Sequence, residues 1–111
     1  DGICHLQDAA KAVFYSDLSP LQQDLAASKW LRAHSRASLC AFPQFLASDI
    51  TTIPKIYVLC EKDKTLDPAH QEMFINIGKF DRVVRLPEAG HTPSISQPGS
   101  IVDIVLDVAG R

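Results

Sequence analysis

The chain has 111 residues, of which 46% are hydrophobic and 22% charged. That is room for one small domain, with the composition of a folded globular protein and not of a disordered one. Eleven basic against thirteen acidic residues give a formal net charge of -2, which leaves no basic stripe for nucleic acid or an anionic membrane surface, and no apolar run approaches the ~20 residues of a membrane span.

Cys4, Cys40 and Cys60 are an odd number of widely spaced cysteines with no Cys-x-x-Cys. This pattern argues against a disulfide scaffold and for a reducing compartment, so a cytoplasmic location is expected. Cys4-His5 has no second ligand pair at zinc-site spacing, and neither a metal nor a cofactor is expected. The first residue is Asp1, with no charged-then-apolar leader behind it. A processed start or a piece of a longer protein is the expectation.

The chain changes character near residue 50. Residues 8–47 are Ala-rich, with Leu, Phe and Trp at spacings of three and four, and read as helical. The best start is Ser19-Pro20-Leu21-Gln22. Ser19 caps, Pro20 fits the first helical position and Gln22 completes a capping box. The spacing predicts a helix to about residue 34 that buries Leu21, Leu25, Ser28, Leu31 and Trp30. A short helix is expected over 35–42, closed by Pro43.

Residues 55–60, Lys-Ile-Tyr-Val-Leu-Cys, are β-branched and aromatic and predict a buried strand. The polar run 61–64 is a loop at its carboxyl end. Asp67-Pro68 predicts a helix start, with Gly78 as the stop. Residues 81–86 predict a second strand, and 87–93 a loop. Pro98 opens a last helix with Ile101, Val102, Ile104, Val105 and Val108 on one broad face, ended by Gly110. A crossover of about twenty residues makes the two strands parallel. Two parallel strands alone are a poor fold, so the expected class is α/β, as the end of a larger doubly wound sheet.

In such sheets ligands bind beyond the carboxyl ends of the strands. Asp63 follows the first strand by three residues and His91 follows the second by five. Loops on one edge of neighbouring strands meet. A carboxylate there can fix an imidazole tautomer and stabilise the imidazolium. Glu61 stands two residues before Asp63 and is the alternative acid. Asp67 reads as a helix cap, Cys60 as inert packing, and His34 and His70 as surface residues on helices. Trp30, Phe42 and Phe45 read as packing residues or as the lining of an acyl pocket.

The segments Ile53-Pro54-x-x-Tyr57-x-x-Cys60-Glu61-x-Asp63-Lys64, Phe74-Ile75-x-Ile77-Gly78 and Ala89-Gly90-His91-x-Pro93-x-x-x-Gln97-Pro98 resemble the carboxyl-terminal part of an α/β-hydrolase. The resemblance is to the plant methylesterase, salicylate-binding protein and hydroxynitrile lyase group and its esterase-like relatives, and it covers residues 53–109. It implies Asp63 as the acid and His91 as the base of a Ser-Asp-His triad. It also implies that 1–50 belongs to a helical lid and 51–111 to the hydrolase core. A small hydrophobic carboxylic ester or lactone is the implied substrate, and the missing amino-terminal half or a second copy the implied partner.

One departure is large. The family carries its serine on a Gly-x-Ser-x-Gly elbow ahead of the acid, and no such motif occurs in this chain. Ser94 and Ser96 follow His91 at the wrong spacing. Three rivals to an ester hydrolase therefore stay open: a lyase step on the same frame, a non-catalytic ligand- or partner-binding protein, and a truncated product.

Overall fold

The computed structural model describes residues 2–4, 9–35, 37, 40–41 and 52–110. The elements in chain order are β1 (Ile3–Cys4), α1 (Ala10–Phe14), α2 (Pro20–Trp30), β2 (His34–Ser35), β3 (Ile56–Cys60), α3 (Pro68–Gly78), β4 (Arg82–Leu86), α4 (Pro93–Ser96) and α5 (Pro98–Val108). β3 and β4 pair in parallel, with Ile56 opposite Arg82 and Cys60 opposite Leu86. Helix α3 is the crossover between them. β1 and β2 form a separate two-residue antiparallel pair.

The second half follows the expected order closely. Asp67 caps α3, its Oδ1 accepting the His70 N–H at 3.0 Å. Pro68 supplies the fixed first turn. The helix stop differs from expectation. The left-handed residue is Lys79, at φ 48°, and not Gly78. Gly78 serves packing instead: a Cβ there would stand 2.5 Å from the Phe80 ring. The Lys55 ammonium donates to the Gly78 carbonyl at 2.6 Å, satisfying one of the open groups of this helix end.

Successive strand residues face opposite sides of the sheet. Val58 and Cys60 join Leu86, Ala89, Ile101 and Ile104 in one core under α5. Leu59 points to the other side and is fully buried. Tyr57 shares that side and meets Phe80 edge-on, with ring centroids 5.0 Å apart. Helix α5 uses only part of its expected apolar face. Ile101 and Ile104 pack inward, while Val102, Val105 and Val108 are more than half exposed.

The amino-terminal segment departs further. Ser19 and Gln22 do form the expected cap, with the Ser19 N–H and Oγ both donating to Gln22 Oε1 at 3.0 and 2.7 Å. But α2 ends at Trp30, four residues early. The Arg32 guanidinium caps its end by donating to the Ser28 and Leu31 carbonyls. Leu31 turns extended, and His34–Ser35 pair with β1. His34 is therefore on a strand and not on a helix.

The face of α2 expected to be buried is also wrong. Leu21 is 79% exposed, Leu25 54% and Trp30 58%, and Ser28 is exposed too. Ala26 is the buried residue. It packs with Tyr15 and Leu18, and Phe14, Ala27, Leu31 and Ile95 border that cluster. A small side chain lets α2 approach the α1–α2 corner closely, and the bulky residues face away. The helix expected over 35–42 does not start at Ser35, which is a strand residue, while Ala37 and Cys40 within that span are helical. Phe42, Phe45 and Pro43 lie outside the described residues.

Candidate active site

The parallel ladder does not stop at the strand ends. The Glu61 N–H donates to the Leu86 carbonyl at 3.1 Å and the Lys62 N–H to the Ala89 carbonyl at 3.0 Å. These bonds bring the 61–66 loop and the 87–92 loop side by side at the carboxyl edge of the sheet. Gln71 on α3 adds a buried bridge. Its amide accepts from the Cys60 N–H at 3.0 Å and donates to the Cys60 and Leu66 carbonyls at 2.9 and 2.8 Å. The loop carrying Asp63 is thus tied down at both ends.

Asp63 and His91 meet as the strand positions require. The distance from His91 Nδ1 to Asp63 Oδ2 is 2.9 Å. The Asp63 side chain is 6% exposed and the His91 side chain 30%. Asp63 Oδ1 is occupied by the Thr65 and Leu66 N–H groups at 2.8 and 2.9 Å. One carboxylate oxygen therefore fixes the loop and the other holds the imidazole. A carboxylate only accepts, so Nδ1 carries the proton in the neutral ring and Nε2 is left as the basic nitrogen. Chemically such a pair can serve as an oriented general base.

Glu61 does not compete for His91. It is exposed and lies 3.7 Å from the Arg85 guanidinium, which also pairs with Glu72. Those two carboxylates push the Arg85 pKa up. Cys60 is packed in the core with Leu86 and Ala89. Burial first, then the charges of Asp63 and Asp17, raise its thiol pKa, which disfavours the thiolate. Ser94 and Ser96 lie on the four-residue α4, directly after His91. Among the described residues no cluster of three His, Cys, Asp or Glu side chains could hold a metal ion.

Three contacts missed by sequence reasoning come from the amino-terminal segment. The Phe14 ring meets the His91 ring edge-on at 5.0 Å. Asp17 Oδ2 accepts the Gly90 N–H at 2.6 Å. Thr92 Oγ1 donates to the Phe14 carbonyl at 3.1 Å. Asp17 reads from sequence as an ordinary turn residue before Ser19-Pro20, and only its partner 73 residues away gives it significance. A hollow of about 380 Å³ opens beside the pair, lined by Ser16, Asp17, Glu61, Lys62, Asp63 and Lys64.

A family model described as the alpha/beta hydrolase family matches residues 5–104. A protein named Probable hydrolase R7, from Phoma sp., is 40% identical over 63 residues, covering 52% of this chain and 25% of that protein. The crystal structure of polyneuridine aldehyde esterase superposes with a TM-score of 0.80 at 23% identity, over 96% of this chain and 43% of that one. A mutant of the same esterase gives 0.79 at 22% identity, over 96% and 42%. The chain thus spans a quarter of the curated relative and less than half of the solved esterase. At this identity the superposition speaks for the fold, and the family match covers most of the chain. The chain belongs to the alpha/beta hydrolase family.

Proposed function

We propose that residues 1–111 form the carboxyl-terminal part of a carboxylic-ester hydrolase, with 1–50 in its helical lid and 51–111 in its core. The observation that carries this reading is the 2.9 Å contact between His91 Nδ1 and Asp63 Oδ2 at the carboxyl edge of the sheet. A serine on an elbow supplied by a longer chain is the nucleophile. His91 Nε2 takes the serine proton as the oxygen attacks the ester carbon, then delivers it to the leaving alcohol. In the second half it takes a proton from water as the water oxygen bonds the acyl carbon, and returns that proton to the serine oxygen as the acyl–serine bond breaks, which releases the acid and restores both serine and base. Asp63 orients the ring and stabilises the imidazolium without taking the proton. The exposed Leu21, Leu25 and Trp30 suit a lid over a small hydrophobic ester. The likeness to a protein named an esterase supports the reaction class.

The test is turnover of a nitrophenyl ester by this chain joined to a segment bearing Gly-x-Ser-x-Gly. Equal release of alcohol and acid, abolished by His91→Ala, is the expected result. Turnover indifferent to His91→Ala contradicts the reading. Cyanide and aldehyde released from a hydroxynitrile, with no ester cleaved, would assign the frame to a lyase.

A further inference from the structure

We infer that Asp17 is a positioning residue for His91, the polar clasp by which the amino-terminal helical segment holds the base in place. Three consecutive residues of the 87–92 loop are gripped from the α1–α2 corner. Gly90 is held through its N–H by Asp17 Oδ2 at 2.6 Å. His91 is held through its ring, which meets the Phe14 ring in a T-shaped contact with centroids 5.0 Å apart. Thr92 is held through its hydroxyl by the Phe14 carbonyl at 3.1 Å. Asp63 fixes one nitrogen of the imidazole, but a single hydrogen bond leaves the ring free to swing about it. The grip on the Gly90 backbone before His91 and on the Thr92 hydroxyl after it removes that freedom. Two aromatic rings edge to face add an orientation preference of their own.

Two features mark Asp17 as more than a surface turn residue. Its Oδ1 is buried and has no hydrogen-bond partner among the described residues. A buried carboxylate oxygen left without a donor is unfavourable and asks for a reason. Holding the amide next to the base is such a reason. Gly90 is also fitted to the clasp. A Cβ there would lie 2.6 Å from Asp17 Oδ1 and 2.7 Å from its carboxyl carbon. Any side chain at 90 would push the carboxylate off the N–H. The consequence is that the base is in register only when the helical segment is docked on the core.

The rate effect of the clasp rests on the hydrolase reading, while its effect on the imidazole does not. The test therefore uses two readouts. In the 111-residue chain, the hydrogen-bonded Nδ1 proton of His91 is followed by NMR with 15N-labelled histidine. Asp17→Ala is expected to broaden or abolish that low-field proton while the far-UV circular dichroism persists. Asp17→Asn keeps an acceptor oxygen and is expected to keep the proton. Gly90→Ala, which displaces the carboxylate, is expected to lose it. In the nucleophile-bearing protein, Asp17→Ala should lower kcat by about a hundredfold with KM little changed, the size expected of a misplacement near 1 Å, and Asp17→Asn should restore most of it.

A His91 proton unchanged in Asp17→Ala overturns the proposal, as does Asp17→Asn losing it as completely as Ala. Should Asp17→Ala unfold, Asp17→Asn and Gly90→Ala decide by the same spectrum. Wild-type protein without turnover would sink the hydrolase reading and leave the spectrum to decide the clasp.

Discussion

Asp63 shows why a single carboxylate suffices to build this site. Its Oδ1 closes the 63–66 turn and its Oδ2 is spared for His91. Asp63→Asn keeps the shape but offers an N–H to a ring nitrogen that also carries one, so the ring must flip its tautomer. Cys60 and Cys40 are both free thiols, the first buried and the second exposed. Cys60 should therefore resist iodoacetamide at neutral pH while Cys40 reacts, as peptide mass mapping will read. Equal labelling of both would contradict the packing described. A raised thiol pKa in the fold means that stability is complete below the ordinary thiol pKa and declines as pH rises above it. Asp67 runs the other way. Its bonds from the His70 backbone and ring lower its pKa, so its contribution is present above the ordinary carboxylate range and fades as acid protonates it. At this scale the sequence was most legible where an element dictates position. Asp63 and His91 sit at fixed offsets after paired strands. Asp17 has no such offset, and its partner is set by tertiary docking alone.

At the scale of elements, the strand–helix–strand unit was readable because short β-branched runs, Asp-Pro and Pro caps all agree. Helix α2 was misread for a physical reason. Its mixture of Leu, Ala and Trp gives no strong one-sided pattern, and the small residue Ala26 won the inward position. The stop at Trp30 depends on pairing between His34–Ser35 and Ile3–Cys4, some thirty residues apart, which local propensity does not contain. The short α4 begins at Pro93, the last residue of the loop expected over 87–93. Two substitutions probe the elements that hold the site. Leu59→Ala removes the largest fully buried side chain among the described residues and should cost about 2–5 kcal/mol in urea unfolding. Gln71→Leu should cost about 1–3 kcal/mol for each Cys60 or Leu66 backbone group it leaves unpaired. It should also loosen the Asp63–His91 contact. Full stability in Gln71→Leu would show that this bridge does not anchor the strand end.

For the molecule as a whole, the chief feature is surface that the described residues leave uncovered. β3 has β4 as its partner on one edge among the described residues. Met73, Phe74 and Ile77 on α3 and Val102, Val105, Leu106 and Val108 on α5 are exposed apolar side chains. An open strand edge beside apolar helix faces promotes association. Light scattering of the 111-residue chain should show species that grow with concentration, and a clean monomer at high concentration would count against this. No helix of the described residues is long and apolar enough to cross a membrane. The family could be read from the Glu61-x-Asp63 and Gly90-His91 segments together, since each falls at a strand end. The substrate could not, because the residues that carry the family resemblance are those of the acid and the base, which name no substrate, and the chain spans less than half of the solved esterase.

Serine labelling reads whether Asp63 and His91 act together as one oriented base. The rate of reaction with a fluorophosphonate is measured for the 111-residue chain alone, for the same chain joined to an elbow-bearing segment, and for its Asp63→Asn and His91→Ala variants. No labelling of the chain alone, rapid labelling of the joined protein, and a fall of about 10⁴-fold in either variant are expected. Labelling of the chain alone at Ser94 or Ser96, or a joined protein whose serine reacts equally fast without His91, would contradict that joint role.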